Sequence, residues 1–160
     1  MGGRLLGRTK LPHNSISASE VDEFLRGEFS VPHKRVLVAD DLAPVLDAVA
    51  ALLRDSFDIV GMVSDGQAAL EAILTLKPEL VVMDISMPIK GGIEVARELK
   101  SRANKTKIVF LTVHEDSDII ATCLSAGALG YVVKQLMDSD LIPAINEALA
   151  GRIFVSRLSP

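Results

Sequence analysis

Five side chains at distant positions could together carry phosphorus chemistry: Asp40, Asp41, Asp84, Thr112 and Lys134. Three carboxylates gathered at one point repel one another and favour protonation of some of their number, a conflict that a divalent cation removes. With oxygen donors only, the ion favoured is magnesium (Mg2+), which takes one or two carboxylates and completes its octahedron with water and phosphate oxygens. A carboxylate can attack phosphorus directly. Because the transferring group spreads its negative charge over several oxygens, what the protein supplies is mainly positioning and cationic stabilisation. Asp84 is then the nucleophile and Asp40 and Asp41 hold the ion, while Lys134 offers a compact positive charge and the Thr112 hydroxyl hydrogen-bonds a phosphoryl oxygen. Taken one at a time, these residues say little. A DD pair after a strand often caps a helix, and Asp-x-x-Met-Pro often forms a turn.

Bringing the five together requires a scaffold, and the hydrophobic pattern describes one. Apolar, mostly β-branched runs at Val36 to Val38, Ile59 to Val63, Leu80 to Met83, Ile108 to Leu111 and Tyr131 to Val133 have the length and composition of strands buried on both faces. Between them lie segments of helical period. The first carries Val45, Val49, Leu52 and Leu53 on one face, with Pro44 in its opening turn, and the last carries Leu141, Ile145, Ala148 and Leu149 before Gly151. Ser64 with Gln67 reads as a capping box, and Ser117 and Gly127 bracket a helix whose inner stripe is Ile120, Cys123 and Leu124. Strands and helices alternating in this way predict an α/β fold, a doubly wound five-stranded parallel sheet with right-handed crossovers and helices on both faces. In such sheets ligands sit beyond the carboxyl ends of the strands, where each of the five polar residues falls.

Composition narrows the function further. The chain has 160 residues, 49% of them hydrophobic, and a net charge of −4, so direct nucleic-acid binding by this chain is disfavoured. Its single cysteine excludes an internal disulfide, and His13, His33 and His114 lack metal-ligand spacing. No run reaches the roughly 20 apolar residues of a membrane helix, and the first ten residues lack a secretory signal's apolar stretch, which together point to the cytoplasm. Residues 1–33 read as an N-terminal extension. Within it, Ser17 and Glu20 form a capping box ahead of Val21, Phe24 and Leu25, which leaves two readings, one short helix ended by Gly27 or a mobile tail.

The segments VLVADD at 36–41, VVMDISMPIKGG at 81–92, FLTVHE at 110–115 and GYVVK at 130–134 resemble the receiver domains of bacterial two-component response regulators. The resemblance covers roughly residues 35–155 and implies a flavodoxin-like strand order, 2-1-3-4-5. It implies that Asp84 is the phosphoacceptor, that Asp41 and Asp84 ligate the metal directly and Asp40 mainly through water, and that the Ser86 carbonyl completes the protein's share. Thr112 and Tyr131 look like the family's switch pair. Departures from the family pattern are Gln135 where proline often follows the lysine, and Val113 where a small residue often follows the switch threonine. The segments at 92–100 and 134–156 are most similar to receivers of the subfamily with a C-terminal LuxR-type helix-turn-helix.

The organisation expected is therefore an extension at 1–33, a receiver at 34–155 and a tail or linker start at 156–160. The partners implied are a sensor histidine kinase and, left open, a second copy of the chain; a DNA-binding domain beyond Pro160 is also left open, and no membrane partner is expected. Two other functions compete with the phosphorylation switch. A receiver-like adaptor that works without phosphorylation would not need all five residues. An aspartate-nucleophile phosphatase of the haloacid dehalogenase kind would need a second aspartate two residues after Asp84, where Ser86 stands.

Overall fold

The computed structural model describes residues 17–27 and 32–157, and the chain divides into two compact units, Met1–Pro32 and His33–Pro160. Of the first unit, one helix is described, α1 (Ala18–Leu25). Its capping box is the expected one, with the Ser17 hydroxyl accepting from the Glu20 amide and the Glu20 carboxylate accepting from the Ser17 amide. Val21, Phe24 and Leu25 are exposed, and Gly27 leaves the helix at φ 72°. The basic residues Arg4, Arg8 and Lys10 lie outside the described residues.

The second unit alternates strand and helix: β1 (Arg35–Ala39), α2 (Ala43–Leu53), β2 (Asp58–Val63), α3 (Gly66–Leu76), β3 (Leu80–Met83), α4 (Gly92–Ser101), β4 (Lys107–Thr112), α5 (Ser117–Ser125), β5 (Gly130–Val133), α6 (Met137–Leu149) and β6 (Phe154–Val155). All strand pairs are parallel, in the order β2-β1-β3-β4-β5-β6. The expected order holds for the first five, and the sheet has a sixth strand beyond the expected five. That strand pairs Phe154 with Gly130 and Val155 with Tyr131, and two residues are too few to register as a periodicity.

Alternation along the strands divides the core into two layers. Leu37, Ala39, Val81, Met83 and Phe110 face α3, α4 and α5, whereas Val36, Val38, Leu80, Val82 and Val109 face α2 and α6. Each helix presents the stripe its period requires: Val49 and Leu53 from α2, and Leu141, Ile145 and Ala148 from α6, are fully buried. Pro44 sits at the start of α2, where a missing N–H costs nothing. Two helix starts differ by one residue from the expected positions. Asp65, not Ser64, caps α3, its extended backbone (φ −147°) aiming a carboxylate oxygen 2.7 Å from the Ala68 amide. Likewise Asp116 caps α5 through the Asp118 amide, and Ser117 is the first helical residue.

The edge beyond β5 is fastened by a side chain. Ser156 is buried; its hydroxyl donates to Asp140 Oδ2 on α6 at 2.7 Å and accepts from the Val133 amide at 3.2 Å. This pins the residue immediately before Lys134. Ser156→Ala removes the acceptor of one amide and a donor to a carboxylate, and is expected to cost about 1–3 kcal/mol in chemical denaturation, with faster hydrogen exchange at the Val133 amide.

Candidate functional site

The site is built where the ladder of the central strands runs out. The Asp40 amide still donates to the Val63 carbonyl (3.1 Å) and the Asp84 amide to the Ala39 carbonyl (3.0 Å), so both backbones are fixed while their side chains project beyond the sheet. Asp40 and Asp84 are buried, whereas Asp41 is exposed. One oxygen from each of the three carboxylates can be chosen so that all lie within 4.8 Å of one another. Lys134 reaches this cluster from the end of β5. Its Nζ is 2.8 Å from Asp40 Oδ2 and hydrogen-bonds Asp84 Oδ2 at 3.3 Å. Thr112, fully buried, closes β4 between the strands that carry Asp84 and Lys134. All five residues singled out from sequence thus lie at the carboxyl end of the sheet.

Electrostatically the cluster is under tension. Burial pushes the Asp84 carboxyl above its usual range; the Lys134 charge pulls it down and the Asp40 charge pushes it up again, and the net direction is upward. Burial pulls the Lys134 ammonium down, yet the two carboxylates outweigh it and its pKa lies above the ordinary lysine value. Asp40 Oδ1 accepts from the Leu42 amide at 2.9 Å, and among the described residues the buried Oδ2 meets only the Lys134 ammonium, at 2.8 Å. Three carboxylates within 4.8 Å of one another, balanced by one ammonium, are a donor set suited to a hard divalent cation. The residues fit magnesium.

The loop after Asp84 is shaped by close approaches. A Cβ on Gly92 would stand 2.2 Å from the Asp84 carbonyl oxygen, and one on Gly66 would stand 1.8 Å from the Lys90 carbonyl oxygen, so both must be glycine. Met87 anchors the loop in the core, and the Pro88 carbonyl accepts from the Lys90 amide two residues on (2.8 Å). That tight turn forces Ile89 to φ 70°, a conformation costly for a β-branched side chain, and leaves it 81% exposed. No peptide bond among the described residues is cis, the one after Lys134 included, and Val113 points outward.

His114 is a junction, and it is one mainly through its backbone. Its carbonyl accepts from the Tyr131 hydroxyl at 2.7 Å, its amide donates to the Thr112 hydroxyl at 3.3 Å, and its Nε2 lies 3.4 Å from the Ser86 hydroxyl. Tyr131 is fully buried, and burial first, then the nearby Cys123, Asp116 and Glu115, pushes its phenol up to about 12, so it remains a donor. Ser86 sits at the margin, its amide 3.5 Å from Asp84 Oδ1. Cys123 is packing: buried, with its thiol pushed up to about 11. The signal for the junction is a backbone carbonyl and amide, which no residue identity reports.

The model of the response regulator receiver domain matches residues 36–146 of this chain. The chain belongs to that family. Among curated relatives, the transcriptional regulatory protein PdtaR of Mycobacterium tuberculosis is 42% identical over 118 residues, which cover 73% of this chain and 57% of that protein. The chain thus spans a little over half the length of such a relative. Among solved structures, a two-component response regulator of the LuxR family from Aurantimonas sp. is 31% identical with a TM-score of 0.72, covering 80% of this chain and 91% of that one. The isolated receiver of RcsB from Salmonella enterica, solved in the presence of phosphomimetic BeF3-, is 25% identical with a TM-score of 0.71, covering 78% and 94%. The sequence-based assignment to receivers is borne out, and among the described residues no helix is long and apolar enough to cross a membrane.

The receiver's charge balance predicts opposite effects at two neighbouring positions. In metal-free buffer Asp84→Asn removes a buried repulsion and raises the melting temperature by about 4 °C, corresponding to roughly 1 kcal/mol. Lys134→Met instead leaves buried carboxylates without their counter-charge and lowers stability by about 3 kcal/mol. Magnesium narrows the gap between wild type and Lys134→Met. Tyr131→Phe leaves the His114 carbonyl short of a donor and costs about 1 kcal/mol.

Proposed function

We propose that this receiver is a phosphorylation switch: Asp84 accepts a phosphoryl group from a sensor histidine kinase in a magnesium-dependent reaction. The observation that carries the reading is the Lys134 ammonium set between the Asp40 and Asp84 carboxylates, on a site whose donors are all oxygen. Asp40, Asp41 and Asp84, with the Ser86 backbone carbonyl, would hold Mg2+. When bound, the ion supplies positive charge to offset the phosphoryl oxygens and the crowded carboxylates. A carboxylate oxygen of Asp84 forms the new O–P bond as the donor's N–P bond breaks, and the electron pair of that bond stays on the imidazole nitrogen. Lys134, released in part from Asp84, turns its charge to the incoming group.

Thr112 and Tyr131 form the switch. The Thr112 hydroxyl now accepts from the His114 amide, and it can instead donate to a phosphoryl oxygen. Shifting that amide moves a backbone whose carbonyl holds Tyr131, so the new charge at Asp84 reaches α5 and β5 through His114. The output is transcriptional, through a DNA-binding domain of the kind carried by LuxR-type regulators; the supports are the similarity to a LuxR-family receiver and to proteins named as transcriptional regulators.

Incubation with acetyl phosphate and magnesium is expected to add one phosphoryl group by intact-mass spectrometry, and Asp84→Asn is expected to abolish it while keeping the fold. Beryllofluoride with magnesium should shift the amide resonances of His114, Tyr131 and Val133 together. Undiminished labelling of Asp84→Asn would refute the assignment.

A further inference from the structure

The far end of the same sheet carries a cavity that the phosphoacceptor chemistry does not use. It lies at the amino ends of β1, β3 and β4, where Lys34, Pro78–Glu79 and Asn104–Lys107 lead into the strands, and has a volume of about 530 Å³. Its lining holds four lysines, at 34, 77, 105 and 107, against the single carboxylate of Glu79, in a chain whose net charge is −4. Three apolar side chains also line it: Leu74 near the end of α3, Pro78, and Leu149 at the end of α6.

Lysines at the carboxyl ends of helices usually serve the exposed carbonyls. Here several of those carbonyls are met by other groups. The Lys77 carbonyl accepts from the Arg35 guanidinium (3.1 Å), the Ile73 carbonyl from the Lys77 amide (3.0 Å), and the Leu99 and Lys100 carbonyls from the Asn104 and Ala103 amides (2.9 and 3.0 Å). Lys34 pairs with Glu79 at 3.3 Å, while Lys77, Lys105 and Lys107 make no ion pair among the described residues. Lys77 moreover occupies a left-handed backbone position (φ 50°) where glycine would be at ease, so its side chain is kept at a conformational cost.

We propose that this cavity binds a small amphipathic polyanion, with an apolar or aromatic body against Leu74, Pro78 and Leu149 and its anionic groups on Lys77, Lys105 and Lys107. Nucleoside diphosphates have this chemistry, and the volume lies within the range of small-molecule pockets, roughly 300–1,000 Å³. Placed at the opposite end of the strands from Asp84, the site is separate from the phosphoacceptor and does not depend on that reading.

The test is calorimetric titration of the full chain with ADP in metal-free buffer, so that the carboxylate cluster contributes nothing, beside parallel titrations with pyrophosphate and with adenosine. ADP should bind saturably, shift the amide resonances of Leu74, Lys77 and Lys107, and bind about tenfold more tightly than either fragment. Lys77→Gln combined with Lys107→Gln should weaken it about tenfold or more, and Leu74→Ala should weaken ADP but not pyrophosphate. Absence of saturable binding below about 1 mM overturns the proposal. So does equal affinity for pyrophosphate and ADP, which marks a simple counter-charge, and so does a double lysine variant that binds as wild type.

Discussion

The ammonium of Lys134 between the carboxylates of Asp40 and Asp84 is the contact on which this receiver depends. Without a cation the acids are mutually destabilising, and the buried Oδ2 of Asp40 has the Lys134 ammonium as its one polar contact among the described residues. The fold tolerates the arrangement because strong, ordinary features surround it. Two apolar layers sandwich strands whose inner residues are almost wholly removed from water, and the ladder continues up to the residues that carry charge. Strain is thereby concentrated at the rim of the sheet, where a bound cation or a new phosphoryl group can relieve it.

Much of this was legible in the residues. Strands buried on both faces must be continuous and apolar, so the five long runs declared themselves, and the polar residue that ends each run had to fall at the rim. Asp40, Asp41, Asp84, Thr112 and Lys134 all stand there, because a parallel sheet turns order along the chain into proximity at one edge. Helix stripes were equally plain: Val49 and Leu53, or Leu141 and Ile145, obey the helical period because a helix on a sheet has one dry face.

Features decided by the backbone were not legible. Asp65 and Ser64 are both competent caps, and only the extended conformation of Asp65 selects it. The sixth strand is two residues long and exists because β5 offers an unpaired edge, closed by Ser156 and Asp140. His114 could not be singled out as a junction, since its connecting groups are those every residue possesses. Ile89 illustrates the converse: an unremarkable residue whose left-handed conformation arises from the constraint placed on the loop by Gly66 and Pro88.

A parallel sheet also has polarity, and that polarity accounts for the distribution of charge over the molecule. The crossover helices all return the same way, so their amino ends, with positive partial charge, gather at the rim that holds Asp40 and Asp84, and their carboxyl ends gather opposite. The carboxyl ends of α3, α4 and α6 approach the cavity lined by Lys77, Lys105 and Lys107, and several of their carbonyls accept from backbone amides, as the Lys77 carbonyl does from Arg35. Among the described residues none of the three lysine side chains bonds a helix-end carbonyl. An acidic chain that keeps three cations in a cavity also lined by apolar side chains, one of them at a backbone position suited to glycine, holds a standing attraction for anions far from its acidic rim. Because β1, β3 and β4 run the whole way between the two ends, the same strands that position the phosphoacceptor also fix the spacing of the basic cavity.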